Sequence, residues 1–497
     1  MTAALWGPRG LRRWLWSASA MFVITLAGGP TQAQVSGDQL NQAFDAQRAQ
    51  QLNQNTFDAL TTFGGLDEDF FLNINLRLSF DREYWGVGIQ APLRLRIIDN
   101  DPQDNDDIGS IIRREDWDQP SDYLRLLRYV YIGKADKKGP FYIRFGELSG
   151  LSIGHGTIMH RYYNNFDISR WRAGLNAAVN IGAFGAEVMT GDLVDFHVVG
   201  SRFTVRPLQL ALGEGIWDRF VVGASVIADR KAPFELQTAP DADGNPVVQV
   251  NDEDEPIVAD ERGVVVVGLD IGFELLTSDI LSITPYMDFN RITSAENGFG
   301  WHAGVLWNIR VPMLIDTFVA DLRTEYRRVS GDYVAPYFNT VYEIERYNVL
   351  GNDQPLPIPK AQCLETTTAG CTINTGEAKN GYFFEALFGL PNLVYISGEF
   401  LDYDGDQPDG QLRLSLEVPA LEFVQFSAFY YRVNIDGTSD MFALDDKSAL
   451  IAQVTVPVYG IISAQARWWR VWRADPDEGG YASVDDWSVG FGISYSF

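Results

Sequence analysis

Apolar and polar residues alternate one for one along many segments of the chain. The clearest examples are residues 69–80, 263–275 and 410–418. In 410–418 every second residue is leucine or valine, and the residues between them are Gln411, Arg413, Ser415 and Glu417. Because successive side chains of a β-strand point to opposite faces, this pattern predicts strands with one apolar and one polar face.

The alternation is strongest at the C-terminus, in residues 487–497. Serine or glycine occupies every second position, and the positions between them hold Trp487, Val489, Phe491, Ile493, Tyr495 and Phe497. This segment resembles the closing strand of Gram-negative outer-membrane β-barrels, whose final aromatic residue is part of the signal read by the β-barrel assembly machinery. The resemblance implies a transmembrane antiparallel barrel, with apolar side chains toward lipid and polar side chains toward the lumen.

The connections between the predicted strands fall into two groups. Short turns near residues 276–279, 388–391, 418–421 and 458–460 alternate with long acidic loops, of which 230–262 and 331–379 are the longest. By analogy with known barrels the final strand runs to the periplasm, so the short turns are periplasmic and the long loops extracellular. We therefore expect an all-β barrel of about 18 strands, within a range of roughly 16 to 20, rather than a soluble β-sandwich.

The N-terminus has the features of a secretory signal peptide. Arginines at positions 9, 12 and 13 precede an uncharged apolar run, and small residues stand at Thr31 and Ala33. This pattern predicts cleavage after residue 33 and export, rather than an anchor that stays attached. Residues 34–66 are rich in Gln and Asn and are expected to form a periplasmic extension, and residues 67–497 the barrel.

Composition agrees with a barrel and excludes one class of partner. Aromatic residues make up 13% of the chain, which suits the interfacial girdles of membrane barrels. The formal net charge of −27 argues against nucleic-acid binding, because that function needs a basic surface. The expected partners are outer-membrane lipid and lipopolysaccharide, the β-barrel assembly machinery and periplasmic chaperones during biogenesis, and small solutes.

Charged residues recur on the faces that are predicted to line the lumen. They are Arg77, Arg94, Arg96, Arg144, Asp270, Glu274, Asp321, Arg323, Glu325, Arg327, Glu399, Arg413 and Glu417. Apposed arginines and carboxylates resemble the constriction of general porins, and charged rings in a pore select ions by sign. The preferred interpretation is an open channel, and the alternative is that these charges pair with one another in a closed barrel.

Residues 144–165 are rich in glycine and alternate imperfectly. Two structures are compatible with this segment. One is a hairpin that folds inward and narrows the pore, and the other is a long pair of wall strands that bend at the glycines. We expect the wall strands. The segment also holds His155 and His160, whose spacing puts them on opposite faces of an ideal strand.

Two further motifs concern the outer loops. Cys363 and Cys371 stand close together in a polar stretch, and in an exported protein this spacing predicts a disulfide rather than a zinc site. Asp241, Asp243 and Asn245, and likewise Asp402, Asp404 and Asp406, offer oxygen ligands at alternate positions beside a glycine. They are weak candidates for calcium, because the full twelve-residue pattern is missing. No other cofactor is expected.

The pattern as a whole favours a porin-like channel for passive diffusion of small hydrophilic solutes or ions. A non-conducting scaffold, assembly or adhesion barrel that acts through its outer loops is the alternative. An outer-membrane hydrolase is less favoured, because no triad motif surrounds the four histidines, His155, His160, His197 and His302.

Overall fold

Twenty antiparallel strands form one closed barrel. The structure is a computed structural model and describes residues 55–66, 69–100, 107–109, 111–134, 137, 139–166, 171–240, 244, 246–251, 256–313, 317–350, 356–365, 371, 377–390, 393–405, 409–421, 423–475 and 480–497. The strands are β1 Asn55–Leu66, β2 Asp69–Asp81, β3 Trp85–Ile98, β4 Leu127–Ile132, β5 Phe141–Gly146, β6 Gly174–Ile181, β7 Phe184–Thr190, β8 Val198–Val205, β9 Phe220–Asp229, β10 Val264–Phe273, β11 Leu281–Ile292, β12 Phe299–Pro312, β13 Thr317–Val329, β14 Lys379–Leu390, β15 Val394–Tyr403, β16 Gly410–Leu421, β17 Val424–Ile435, β18 Ser448–Tyr459, β19 Ile462–Asp475 and β20 Gly480–Ser496.

The barrel closes where β1 pairs with β20. Thr56 lies opposite Ser496, and the backbone N–H of Phe497 donates to the carbonyl of Asn55 at 3.0 Å. The expected all-β barrel is thus confirmed, with a strand number at the upper end of the expected range. The expectation that residues 34–66 are an extension is wrong for 55–66, which form the first strand. Residues 34–54 and the expected signal peptide, 1–33, lie outside the described residues.

The barrel has two rims of different character. We call the rim that holds Asn55 and Phe497 the closing rim, and the opposite one the loop rim. The short connections after β10, β14, β16 and β18 lie at the closing rim, as the antiparallel order requires, and the long ones after β9 and β13 begin at the loop rim. The sorting of turns and loops that the sequence predicts is therefore confirmed.

The outer face of the wall is apolar. In β10, Leu269 is 61% exposed, whereas the neighbouring Asp270 is buried on the lumenal side. In β20, Phe491 is 65% exposed and Ser494 is buried. The alternation therefore separates an apolar outer surface from a polar inner one. Among the described residues, no helix has the length and hydrophobicity to cross a membrane.

The connections between the barrel strands contain short helices and short strands. In the described part of the chain the α-helices are α1 Pro207–Leu212 and α2 Tyr342–Glu345, and the 3-10 helices are Arg114–Asp116, Asp122–Leu126, Ile216–Arg219 and Gln362–Leu364. The connection after β9 contains two small antiparallel pairs, Pro233–Leu236 with Val258–Glu261 and Thr238–Pro240 with Pro246–Val248. Leu276–Thr277 is a two-residue strand beside β11.

Two of the connections described by the structure, the one after β5 and the one after β13, meet inside the barrel. The inward hairpin, residues 147–166 between β5 and β6, contains the paired strands Leu151–Ile153 and Met159–Tyr162. The inward loop, residues 330–350 after β13, contains α2. The expectation that 144–165 forms a bent pair of wall strands is therefore wrong: after Gly146 the chain leaves the wall. The expectation that all of 331–379 is an outer loop is also wrong, because Phe338, Val341 and Tyr342 are fully buried.

Candidate functional site in the barrel lumen

The inward hairpin and the inward loop are joined through their backbones. Met159 and Phe338 form a parallel β-bridge. The N–H of His160 donates to the carbonyl of Phe338 at 2.9 Å, and the N–H of Phe338 donates to the carbonyl of Ile158 at 3.1 Å. The two segments are thus one hydrogen-bonded unit, which we call the plug.

The plug has an apolar core that continues into the wall. Met159, Tyr162, Phe338 and Tyr342 are all fully buried and form one cluster with wall residues that include Met189, Val198, Ile227, Val266 and Ile292. A second cluster joins Val341 and Ile344 to Phe429 and Tyr431 of β17, Ile451 of β18 and Trp469 of β19. Burial of each such side chain contributes about 1.5–3 kcal/mol, so the plug is held on two sides of the lumen.

Polar contacts fix the tip of the inward hairpin to β11. The ring nitrogen Nδ1 of His155 lies 2.7 Å from Asp288, and the hydroxyl of Thr157 donates to the same carboxylate at 2.6 Å. Asn290 donates to Thr157 at 2.9 Å, and the His155 ring stacks on Tyr286 with centroids 4.3 Å apart. His155 and Thr157 therefore both bind Asp288, and Asn290 adds a second contact to Thr157.

The returning strand of the hairpin meets the carboxylates of β14 and β15. Arg161 donates to Glu385 at 2.9 Å and lies 2.5 Å from Glu399, which also accepts from Arg413 of β16 at 2.7 Å. Nε2 of His160 lies 3.5 Å from both carboxylates. Within the described part of the chain, His160, Glu385 and Glu399 are the group whose donor atoms converge closely enough to hold a metal ion.

Charged residues of β13 that face the lumen contact one another and the inward loop. Glu325 accepts from both Arg323 and Arg327 and lies 3.0 Å from His302, whose other ring nitrogen is 3.2 Å from the Tyr333 hydroxyl. Arg327 is completely buried and donates to the carbonyl of Ala335 at 3.0 Å. Arg323, Glu325 and Arg327, which the sequence places in the lumen, are thus partners of one another, and Arg327 also contacts the inward loop.

A third group of contacts holds the plug near the loop rim. Glu343 accepts from the Tyr162 hydroxyl and lies 3.2 Å from His197 and 3.4 Å from Arg172. Arg346 donates to Asp229 at 3.0 Å.

Electrostatics around Glu343 favour the charged forms. Burial raises the pKa of Glu343, but Arg172 and His197 outweigh this effect and hold the pKa well below its usual range. Burial lowers the pKa of His197, and the facing carboxylates of Glu343 and Asp195 more than compensate, so the pKa lies above its ordinary value. The raised pKa of His197 and the lowered pKa of Glu343 both favour an ion pair between the two side chains.

Arg94 and Arg96 bind a segment that folds back onto β3. Arg94 lies 2.5 Å from Asp116, which is also 3.2 Å from Arg125, and Arg96 lies 2.7 Å from Asp107. The backbone at Ile111 and Arg113 pairs with the end of β3. These two arginines face inward, and each one is engaged by carboxylates.

A bulge turns one arginine into the lumen. Leu127 lies opposite Ile89 and Tyr129 opposite Gly88, which leaves Arg128 as an extra residue in β4. A bulge redirects a side chain, and Arg128 reaches Glu147 at 3.3 Å. Strict alternation would place Arg128 outside, next to the inward-facing Tyr129, so the sequence pattern does not identify it as a lumenal residue.

The remaining predicted lumenal residues lie on the inner side of the wall. Asp270 pairs with Arg202 at 2.5 Å, and Asp321 pairs with Arg310 at 2.7 Å. Arg144 donates to the carbonyl of Glu147 at 2.9 Å. Arg77 and Glu417 are buried. Glu274 follows the end of β10 at the closing rim. The role of these residues in conduction stays a prediction.

The loop motifs are only partly described. Cys363 and Cys371 are joined by a disulfide, with Cα atoms 5.4 Å apart, and Cys363 is completely buried beside Val349 and Ile358. Asp241, Asp243 and Asn245 lie outside the described residues, as does Asp406. Asp404 accepts from the amide of Asn380 at 2.6 Å.

The chain is distantly similar to solved outer-membrane β-barrels. No protein family and no curated protein sequence matches the chain. The barrel is similar to Wzi, a carbohydrate-binding outer-membrane β-barrel involved in capsule assembly in Escherichia coli, with 11% identity, coverage of 92% of this chain and 87% of that chain, and a TM-score of 0.34. It is also similar to OprD of Pseudomonas aeruginosa (10% identity, coverage 89% and 95%, TM-score 0.32) and to OccK11 (9%, 89% and 96%, 0.31). Likeness at this level assigns no function to the chain.

Proposed function

We propose that the protein is a gated outer-membrane channel for small hydrophilic solutes or ions, closed in the described state by the plug. Its closed wall with an apolar outer face suits a lipid bilayer, and its charged inner face suits water-soluble solutes. The expected open porin is thereby refined to a barrel that conducts when the plug moves. We also propose that the protein is exported by a signal peptide that is cleaved after residue 33.

The observation that most directly supports this proposal is that the inner face of the wall is charged where it contacts the plug. Asp288, Glu325, Arg327, Glu385 and Arg413 all face the lumen and meet the plug or one another. Buried ion pairs stabilise a protein no better than apolar side chains of similar volume, because desolvation offsets their attraction. A permanently closed barrel has no need of such a wall, whereas a wall that is sometimes in contact with water does.

Single-channel recording in a planar bilayer tests the proposal. Val329 and Lys379 lie directly opposite each other in the wall. A short Gly-Ser linker in place of residues 330–378 therefore removes the inward loop and leaves β13 and β14 paired. We expect small or rare conductance steps from the wild type, and larger and more frequent steps from the deletion variant with a defined reversal potential in a salt gradient. A deletion variant that folds as a barrel and conducts no better than the wild type would refute the channel.

That negative result would favour the second candidate, a non-conducting scaffold that acts through its outer loops. The ordered pairs in the connection after β9, Pro233–Leu236 with Val258–Glu261 and Thr238–Pro240 with Pro246–Val248, are the observation that favours it. They give that loop a defined surface at the loop rim.

A hydrolase has less support. Ser152 lies 3.4 Å from His160, which is longer than the 2.6–3.2 Å that activation of a nucleophile requires, and its oxygen already accepts from the N–H of Arg161.

A further inference from the structure

We propose that His160, Glu385 and Glu399 form a binding site for a divalent transition-metal cation, with Zn²⁺ as the best match. The site would connect the inward hairpin, through His160, to β14 and β15 of the wall. It concerns a ligand and not conduction, so it goes beyond the gated channel and holds whether or not the barrel conducts.

The spacing of the three donor groups supports this site. Nε2 of His160 lies 3.5 Å from Oε2 of Glu385 and 3.5 Å from Oε1 of Glu399. Zinc bonds to histidine nitrogen and carboxylate oxygen are about 2.0–2.2 Å long, which places two ligands of a tetrahedral site roughly 3.3–3.6 Å apart. The two separations therefore match two edges of a zinc tetrahedron. The donor atoms of all three residues lie within 4.8 Å of one another.

The ring of His160 gives the second, independent observation. The side chain is 9% exposed, and among the residues that the structure describes its Nε2 has no hydrogen-bond partner, although it is aimed at two carboxylates. On the other side of the ring, Nδ1 lies 3.4 Å from the Ser152 hydroxyl. When Nδ1 carries the proton and donates to Ser152, Nε2 presents a lone pair toward the carboxylates, which is the arrangement of a histidine ligand held by an outer-shell hydrogen bond.

Arg161 competes with the cation for the same oxygens. Its guanidinium lies 2.5 Å from Oε1 of Glu399 and donates to Oε1 of Glu385. Because Arg161 and Arg413 together balance the charge of the two carboxylates, a divalent cation enters only as Arg161 withdraws. Oε2 of Glu385 lies nearest His160, and the hydrogen bonds from Arg161 go to Oε1. Imidazole with carboxylates suits zinc better than the all-oxygen sites that calcium and magnesium prefer.

Metal titration of the purified full-length barrel tests the site. The protein is folded in detergent without lipopolysaccharide, stripped with a chelator, and titrated with Zn²⁺ by calorimetry and with Co²⁺ by visible absorption. We expect one saturable site in the wild type, with binding roughly tenfold or more weaker in His160→Gln. We expect Arg161→Gln to bind more tightly than the wild type, because the competing guanidinium is gone.

Controls separate the site from the acidic surface. His155→Gln, on the same hairpin but directed at Asp288, should bind as the wild type does, and the mobility of unheated protein on a gel reports whether each variant is a folded barrel. Equal Zn²⁺ affinity in the wild type and in His160→Gln would overturn the proposal, because the cation would then sit on surface carboxylates. Absence of saturable binding in both the wild type and Arg161→Gln would overturn it as well.

Discussion

Met159 and Phe338, which come from distant parts of the chain, form a parallel backbone bridge inside the barrel. Each belongs to a segment that leaves the wall and returns to it, and each is completely buried. Hydrogen bonds on both sides of the bridge join the inward hairpin to the inward loop. Any movement that opens the lumen must therefore either break this bridge or carry both segments together.

The anchor at Asp229 offers a way to loosen the plug. Arg346 donates to Asp229 at 3.0 Å, and both side chains are buried. Arg346→Gln removes one partner of a buried ion pair, which costs about 3–5 kcal/mol, and we expect the channel to open more often. Open probability in planar bilayers is the measurement.

Arg262→Gln is the matched control for that variant. Arg262 pairs with Asp260 and Glu365 at the surface, where about half of each side chain is exposed. Such pairs contribute about 0–1 kcal/mol, so conductance should remain that of the wild type. Equal gating in Arg346→Gln and in the wild type would show that Asp229 does not hold the plug.

Stability should depend on pH through His197. The pKa of His197 is raised in the folded protein, because Glu343 and Asp195 outweigh the effect of burial. Its contribution is therefore complete below the unfolded pKa of about 6.5 and is lost as pH rises through the raised folded value. We expect the free energy of unfolding in denaturant to fall over that interval in the wild type, and to fall less in His197→Gln. A parallel pH dependence in the two proteins would contradict the His197–Glu343 ion pair.

Charge reversal at β3 tests the lumenal arginines. Arg94→Glu with Arg96→Glu places new carboxylates against Asp116, Asp69 and Asp107. We expect lower anion permeability of the conducting state, because two inward-facing positive charges become negative. The reversal potential in a salt gradient measures it, and Arg94→Lys with Arg96→Lys should leave the sign of selectivity unchanged. Unaltered selectivity in the glutamate variant would exclude these positions from the conduction path.

The terminal residue should matter for assembly. The Phe497 ring packs edge-on against Phe80, with centroids 6.3 Å apart, and stacks near Tyr495. Deletion of Phe497 removes these contacts and the backbone bond to Asn55, so closure of the barrel should slow and degradation in the periplasm should rise. The amount of folded protein in the outer membrane is the measurement. Normal levels of the truncated protein would show that the final aromatic is dispensable.

The sequence predicts the wall well, because alternation has a direct physical cause there. Arg323, Glu325 and Arg327 occupy inward positions as their spacing requires, and so does Arg413. Asp288 follows the same rule, and the alternation of β11 would have identified it. Glu385 is harder to find, since its strand carries aromatic or aliphatic residues on both faces.

The plug could not be derived from periodicity. The inward hairpin uses side chains such as Arg161 and His160 that would look equally plausible in a wall strand, and a positive φ of 49° at Arg161 marks a local departure from extended structure that the sequence does not signal. The inward loop lies in a long connection whose polar residues suggest an exposed segment. Its burial depends on contacts with strands that are distant in the sequence, such as the contact between Asp229 and Arg346. These residues come together only when the barrel has closed.

The placement of the plug also has a mechanical consequence. The inward hairpin departs from the wall between β5 and β6, the inward loop between β13 and β14, and the loop further contacts β17, β18 and β19. These attachment points are spread around the ring, so the joined segments act as a strut across a hollow cylinder. Lateral pressure from the surrounding bilayer would flatten a wide, empty ring into an oval. A braced ring resists that deformation, and loss of the brace should make the cross-section of the barrel more easily deformed.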